Sequence, residues 1–209
     1  MKVREILRDA RLLLITDPRP DLVFRVEAAV RGGVDMVQLR DKHASREALI
    51  PLAAELREVC ERGGALFTVN GDVGLARLSG AAGVHLGQGG VLRAQDARDL
   101  LGPDVIVGRS AGTLEEALDA LRDGADYLGV GAVYATPTKP EGEVGGLGLV
   151  QEISRSNLPI PWFAVGGVTL ETAREVAAAR APGFAVVRAV LDAEDPEAAA
   201  IKLRSYLPG

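Results

Sequence analysis

The chain has 209 residues, of which 47% are hydrophobic, which is enough to close one sizeable core, so we predict a single domain over residues 1–209. Its 24 basic and 29 acidic residues give a formal net charge of -5 without a basic patch, which argues against a nucleic-acid binder. A single cysteine, Cys60, excludes an internal disulfide, and no apolar run is long enough to span a membrane or resembles a signal peptide, so we predict a cytoplasmic protein without a membrane partner.

Short aliphatic runs alternate with amphipathic helical patterns along the chain. A helix over residues 1–10 is predicted before the first strand, and a helix over 195–207 after the last. The predicted strands are 12–16, 35–39, 65–70, 83–86, 105–108, 127–130, 162–165 and 184–187. Eight strand-then-helix units predict an α/β fold, a single (β/α)₈ TIM barrel with a short N-terminal helix.

Helix ends carry the expected residue types. Ser45, Thr113 and Thr169 are suited to cap the helices that follow them, since a hydroxyl can accept a free backbone N–H of the first turn. The glycines at 32–33, 63–64 and 124 are suited to end helices. Most turns of the predicted barrel are therefore accounted for by local sequence.

An amide and two cations alternate at the end of the second predicted strand. Gln38, Arg40 and Lys42 would all point to one side of an extended strand. A cation buried without a partner is costly, so this side must meet water, a carboxylate or an anionic ligand. We therefore predict an anion-binding site there.

The other strand ends are also polar, and in a TIM barrel the chemistry lies at these ends. The glycines that follow strand 7 expose backbone N–H groups before a helix, which favours a phosphate. A second anion site is therefore predicted. The further candidates are Asn70 at the end of strand 3, Ser110 after strand 5, Thr136, Thr138 and Lys139 after strand 6, and Gly166 with Gly167 after strand 7.

Neither histidine is assigned a catalytic role. His85 lies between Val84 and Leu86, a setting more typical of a hydrogen-bonded structural histidine than of a general base. His43 follows the cationic strand end and is equally suited to face solvent. The catalytic residue therefore stays unknown at this level.

Four motifs, taken in order, resemble the thiamine phosphate synthase and TenI superfamily. They are VQLRDK at 37–42, GVHLGQ at 83–88, GADYLGVG at 124–131 and YATPTK at 134–139. The resemblance implies a (β/α)₈ barrel that forms a homodimer. Synthases of this family join hydroxymethylpyrimidine diphosphate to a thiazole phosphate and release pyrophosphate, whereas the TenI branch includes tautomerases that move a proton on carboxythiazole phosphate.

The resemblance also implies a role for each candidate. Gln38 and Ser110 would lie near the pyrimidine, and Gly167 with the end of strand 8 would hold the thiazole phosphate. Arg188, where the synthase pattern has serine, could bind that phosphate or replace the charge of a metal ion. The remaining roles are the diphosphate for Arg40, Lys42, Asn70 and Lys139, and the acidic group of the thiazole for Thr136 and Thr138.

Departures from the family pattern affect the metal site. Glycines stand at Gly71 and at 89–90, where the synthase pattern supplies two aspartates as magnesium ligands. Asp72 is one position away and would point elsewhere in a regular backbone. We therefore predict no metal site, and Mg²⁺ as a cofactor only if the protein is a synthase.

Three functions stay open. A TenI-like isomerase fits the lost magnesium ligands best, although Ala132 stands where the tautomerases would have histidine. A divergent thiamine phosphate synthase fits the retained diphosphate-binding residues. A non-catalytic regulator that binds a phosphorylated thiazole fits the absence of key residues of both branches.

Overall fold

The computed structural model describes residues 3–88, 92–136 and 144–208. Its strands form a closed parallel barrel in which each strand pairs with its neighbours in sequence order and the last pairs with the first. The strands are β1 Leu12–Ile15, β2 Met36–Leu39, β3 Leu66–Asn70, β4 Gly83–Leu86, β5 Ile106–Ala111, β6 Tyr127–Val130, β7 Trp162–Val165 and β8 Phe184–Val186. The predicted (β/α)₈ barrel is confirmed.

Helices surround the strands and include one that precedes the barrel, as predicted. They are α1 Val3–Asp9, α2 Leu22–Arg31, α3 Arg46–Gly63, α4 Val73–Ser79, α5 Ala94–Leu101, α6 Leu114–Arg122, α7 Gly146–Arg155, α8 Ala173–Ala178, α9 Arg188–Leu191 and α10 Pro196–Arg204. None of the helices described is long and apolar enough to cross a membrane.

The strands are buried on both faces, which explains their nearly continuous apolar sequences. In β1, Leu13 joins a cluster inside the barrel with Met36, Ile106 and Phe163. Its neighbour Leu12 instead joins the apolar layer between the strands and the helices. This alternation follows from the two-residue period of a strand and leaves the strand ends free to carry polar groups.

Local capping fixes where helices begin and end. The Ser45 hydroxyl accepts the backbone N–H of Ala48 at 3.3 Å, and Thr113 accepts that of Glu116 at 3.1 Å, as the sequence predicts. Gly64 ends α3 in the left-handed conformation, with φ 75°. Thr169 was predicted to cap α8, but Thr172 occupies the N-cap position.

Candidate functional site

A cavity of about 620 Å³ opens at the carboxyl ends of the strands, the end that carries the chemistry in this fold. It extends from the end of β2 across the barrel to the ends of β7 and β8. The predicted ligand-binding residues that line it are Gln38, Arg40, Asn70, Ser110, Thr136, Gly166, Gly167 and Arg188. Thr138 and Lys139 lie outside the described residues.

The end of β2 contributes an amide and a guanidinium. Gln38 is only 1% exposed, and its amide nitrogen makes no hydrogen bond of good geometry within the described structure. Arg40 is half-buried, and this burial lowers the pKa of its guanidinium, which nevertheless stays charged at neutral pH. Its backbone N–H donates to the Thr16 hydroxyl at 2.9 Å, which ties the start of the loop to β1. These two side chains suit a ligand with both a hydrogen-bond acceptor and a negative charge.

Lys42 does not share a strand face with Gln38 and Arg40. Strand β2 ends at Leu39, and the Asp41 carboxylate then accepts the backbone N–H groups of His43 at 2.8 Å and Ala44 at 3.1 Å. This turn leaves Lys42 exposed and outside the cavity lining. The extended geometry assumed from the sequence is therefore wrong at Lys42, and its contact with a ligand stays a prediction.

A histidine and a serine form a pair in the middle of the cavity. His85 Nε2 and Ser110 Oγ lie 3.0 Å apart, and His85 is only 7% exposed. The ring needs glycine at position 108, because a Cβ there would lie 2.6 Å from His85 Nδ1, whereas one at Gly129 would lie 3.4 Å from Cε1, which is an ordinary contact. The sequence analysis assigned His85 only a structural role. The signal that could have revealed its place in the site is the glycine that pairs with it on the adjacent strand.

Burial, assisted by the positive charge of Arg109, lowers the pKa of His85 from 6.5 to about 4. The ring is therefore neutral at neutral pH. A neutral imidazole can either accept the Ser110 hydroxyl proton or donate to its oxygen, so this pair can orient the hydroxyl toward a ligand in the cavity.

The lowered pKa of His85 predicts a pH-dependent loss of stability. Between pH 6.5 and about 4 the unfolded chain binds a proton that the folded chain does not, so the free energy of unfolding falls as pH falls through this window. Between about pH 7 and about pH 5 the expected loss is roughly 2 kcal/mol. Urea unfolding should show that His85→Gln removes this loss, whereas His43→Gln at the exposed histidine keeps it. Equal pH dependence in both variants would contradict the assignment.

The opposite end of the cavity is formed after β7 and β8. Gly166 and Gly167 have φ values of 97° and 66°, and a Cβ at either position would strike the segment that follows β6, at Ala132 and Tyr134 respectively. Both glycines are thus required for packing, and a role in phosphate binding stays a prediction. Arg188, the first residue of α9, is exposed and makes no ion pair with a described residue.

The loop that begins α8 differs from its prediction for a local reason. Thr172 Oγ1 accepts the backbone N–H of Thr169 at 2.9 Å, and Thr169 Oγ1 accepts that of Thr172 at 3.3 Å. The two threonines therefore cap each other in a tight loop, and the helix starts three residues later than a cap at Thr169 would give. Either hydroxyl satisfies the capping pattern in the sequence, so the pattern did not distinguish them.

Two cavity carboxylates were not among the predicted site residues. Glu171 and Asp192 both lie on the side formed after β7 and β8, and Asp192 pairs with Arg19 at 2.8 Å. Glu171 lies in the loop between β7 and α8, and Asp192 directly follows α9, so neither stands at a strand end where the sequence would single it out. The two carboxylates lie at the end of the cavity away from Asn70. They therefore add negative charge near the second predicted anion site and not near the first.

The described residues near Asn70 do not fit a magnesium ion. Gly71 has φ 73° and open space where a side chain would stand. Asp72 is engaged elsewhere, because it accepts the backbone N–H of Leu75 at 2.9 Å, pairs with Arg46 at 2.8 Å and does not line the cavity. No group of three His, Cys, Asp or Glu residues suited to a metal ion occurs in the part of the chain that the structure describes. Residues 89–90, the second pair of glycines, lie outside it.

A family model described as thiamine monophosphate synthase matches residues 12–190. The chain belongs to this family. Among its relatives, the thiamine-phosphate synthase of Synechocystis sp. is 45% identical over 206 residues, which are 99% of this chain and 60% of that protein. The thiamine-phosphate synthase of Gloeobacter violaceus is 47% identical over 194 residues, or 93% of this chain and 56% of that protein. The chain thus spans a little over half the length of these curated relatives.

Solved structures agree with the family and the fold. Thiamine phosphate pyrophosphorylase from Pyrococcus furiosus superposes with a TM-score of 0.86 at 35% identity, over 98% of this chain and 97% of that one. The enzyme of the same name from Bacteroides thetaiotaomicron superposes with a TM-score of 0.65 at 17% identity, over 94% and 96% of the two chains, and supports the fold alone. The predicted membership of the thiamine phosphate synthase and TenI superfamily is therefore confirmed.

Proposed function

We propose that residues 1–209 form one catalytic domain that joins hydroxymethylpyrimidine diphosphate to a thiazole phosphate and releases pyrophosphate. The observation that carries this proposal is a single cavity with a separate cation at each end, Arg40 after β2 and Arg188 after β8. A synthase must hold two phosphorylated substrates at once, whereas a tautomerase holds one. The relatives named thiamine-phosphate synthase also favour the synthase over the isomerase that the lost magnesium ligands favoured.

The first end of the cavity suits the pyrimidine diphosphate. The buried amide of Gln38 can hydrogen-bond to a ring nitrogen or amino group, and Ser110, oriented by His85, can contact the same ring. Arg40 offers a planar set of donors that matches phosphate oxygens. In this proposal Asn70, Lys42 and Lys139 add contacts to the diphosphate.

The second end suits the thiazole phosphate. Arg188 supplies a cation beside the glycine turn after β7, in the region where this fold commonly binds phosphate. Glu171 and Asp192 lie near this end, so the phosphate must approach Arg188 from the side away from these carboxylates. In this proposal Thr136 and Thr138 contact the remainder of the thiazole.

The reaction breaks the bond between the methylene carbon on the pyrimidine and the oxygen that links it to the diphosphate. Pyrophosphate leaves with the electron pair of this bond. The lone pair of the thiazole nitrogen then forms the new C–N bond, and this nitrogen acquires a positive charge. Arg40 stabilises the negative charge that develops on the leaving pyrophosphate, and it does so more strongly in a half-buried site than in water. Because the described residues near Asn70 do not fit magnesium, no step is placed on a metal ion there, and Arg40 carries this role in the proposal.

The experiment is a paired assay of the purified chain. Thiamine phosphate formation from hydroxymethylpyrimidine diphosphate and thiazole phosphate is measured with magnesium and with a chelator, beside proton exchange on carboxythiazole phosphate. We expect synthesis without exchange. Exchange without synthesis would replace the synthase by the isomerase, and ligand binding without either reaction would indicate a non-catalytic regulator.

A variant at Gly71 tests the missing metal ligand directly. We expect Gly71→Asp to make synthesis depend more strongly on magnesium, because it restores a carboxylate in open space beside Asn70. Gly71→Asn is the control, since it has the same shape and tolerates the left-handed backbone but lacks the charge. Identical magnesium dependence in both variants would show that a carboxylate at this position does not recruit the ion.

A further inference from the structure

A second cavity, of about 400 Å³, lies at the end of the barrel opposite the candidate site. Arg11, directly before β1, Trp162, the first residue of β7, and Pro182, shortly before β8, all line it, so it is formed where these strands begin. We call it the basal pocket. Trp162 in this pocket and Val165 in the candidate site are three residues apart in β7, which separates their Cα atoms by about 10 Å. It is therefore a distinct site.

The basal pocket holds positive charge without a balancing carboxylate. Arg8, Arg11 and Arg180 line it, and no aspartate or glutamate does so among the described residues. None of the three makes a salt bridge to a described carboxylate, whereas Arg98 pairs with Asp126 and Arg204 with Asp35 at the same end of the barrel. Three like charges around a recess repel one another unless an anion enters it.

The guanidinium of Arg11 is held in place before any ligand binds. One of its terminal nitrogens donates to the backbone carbonyls of Arg8 at 2.9 Å and Ala10 at 3.0 Å, at the end of α1. Its Nε is buried and has no hydrogen-bond partner among the described residues. Asp35 accepts the backbone N–H of Arg11 at 2.7 Å, but its side-chain partner is Arg204. A cation fixed in this way loses little entropy when it binds an anion.

Arg180 reaches the pocket from a backbone conformation that is uncommon for its residue type. It has φ 70°, in the left-handed region, and its N–H donates to the Ala177 carbonyl at 2.8 Å at the end of α8. Asn157, which also lines the pocket, has φ 49°. Such conformations persist where the surrounding structure imposes them, and they are more frequent at ligand sites.

The remaining wall is apolar and rigid. Trp162, which is 6% exposed, lines this wall together with Leu158 and Ile160. Prolines at 159, 161 and 182 complete this wall. Proline loses little conformational freedom on binding, so the wall is suited to a flat apolar group. The ligand therefore has an anionic head and an apolar body.

We propose that the basal pocket binds a small phosphate ester with an aromatic or aliphatic portion, at a site separate from the substrates. Phosphate suits three arginines better than a single carboxylate does, because it offers more oxygens and more charge to planar guanidinium donors. The proposal depends on the charges and geometry at the base of the barrel and is independent of the function proposed for the upper cavity.

Trp162 provides the test, since it is the only tryptophan in the chain. The intact protein is titrated with phenyl phosphate, inorganic phosphate and chloride at constant ionic strength while tryptophan fluorescence is recorded. We expect a saturable change with phenyl phosphate, a weaker one with inorganic phosphate and none with chloride. Arg8→Gln and Arg180→Asn should each raise the dissociation constant about tenfold, because each removes charge-assisted hydrogen bonds.

Two control variants locate the signal. Arg155→Gln removes the same charge from an exposed position on α7 outside the pocket, and Arg40→Gln removes a cation from the upper cavity. Both should leave the tryptophan titration unchanged. The proposal is overturned if no saturable change occurs, if Arg8→Gln and Arg180→Asn bind phenyl phosphate as the wild type does, or if Arg40→Gln abolishes the signal. Calorimetric titration of the Arg40→Gln protein with phenyl phosphate is a second readout, and the absence of binding there also overturns the proposal.

Discussion

Replacing Arg40 by glutamine should reduce the kcat/KM for thiamine phosphate formation by about a hundredfold to a thousandfold, which is the usual cost of losing one preorganised donor to a developing oxyanion. Arg40 is half-buried at the end of β2 and lines the cavity beside Gln38. Glutamine keeps hydrogen-bonding capacity but lacks the charge. Pyrophosphate affinity, measured by calorimetry, should fall together with activity, and this readout does not require turnover.

Lys42→Gln is the matched control for Arg40→Gln. The two cations are two residues apart, but Lys42 is exposed and outside the described cavity lining. An exposed cation acts through water and is screened by salt, so we expect a change of only a few fold. Arg40→Lys should recover part of the activity, because it restores the charge without the planar donor set. An equal loss in Lys42→Gln and Arg40→Gln would contradict the difference in their positions.

The strands were predictable from sequence where apolar runs were uninterrupted. The bounds of β4, β6 and β7 agree with the prediction. Strand β5 runs to Ala111, beyond the predicted end at residue 108, and Arg109 and Ser110 are paired with β6. Polar residues at a strand end are typical of the start of a loop. Here the pairing with β6 continues through them, and Ser110 reaches the cavity. The error in length therefore arises from the same polarity that identified Ser110 as a candidate.

Site residues at strand ends could be predicted from the sequence, whereas those that follow a turn could not. Gln38 and Arg40 reach the cavity as the alternation indicated, but the Asp41 turn redirects the chain before Lys42. His85 was treated as structural because its neighbours are apolar. Its place beside Ser110 depends on Gly108 of β5, and a sequence read one strand at a time does not show such a contact.

The absent magnesium ligands indicate how the upper cavity differs from the family pattern. With Gly71 in place of a carboxylate and Asp72 committed to Arg46 and to the cap of α4, the end of the cavity near Asn70 is less negative than in that pattern. A cavity without these carboxylates repels a diphosphate less and needs less positive charge to hold one. The exposed Arg188 adds a cation where the family pattern has serine. In the proposed synthase, both changes would shift the stabilisation of phosphate charge from a metal ion toward protein cations.

Gly83→Ala should destabilise the barrel by about 3 kcal/mol, because an added methyl group has no space at this position. A Cβ at Gly83 would lie 1.9 Å from the carbonyl oxygen of Ile106 and 2.6 Å from its Cγ1. These two residues are paired between β4 and β5. The obstructing atom belongs to the backbone and cannot rotate away, so the two strands would have to separate beneath His85 and Ser110.

Gly87→Ala is the control at the other end of β4. No atom lies within 4 Å of a Cβ built there, so its free energy of unfolding should stay within about 0.5 kcal/mol of the wild type. Urea unfolding at neutral pH measures both variants. If Gly83→Ala separates the strands, the His85 and Ser110 pair should loosen as well, and the pH dependence assigned to His85 should shrink in that variant alone. Unfolding free energies that do not differ between the two variants would mean that the β4–β5 pair accommodates the methyl group, and glycine at position 83 would then not be required by the barrel.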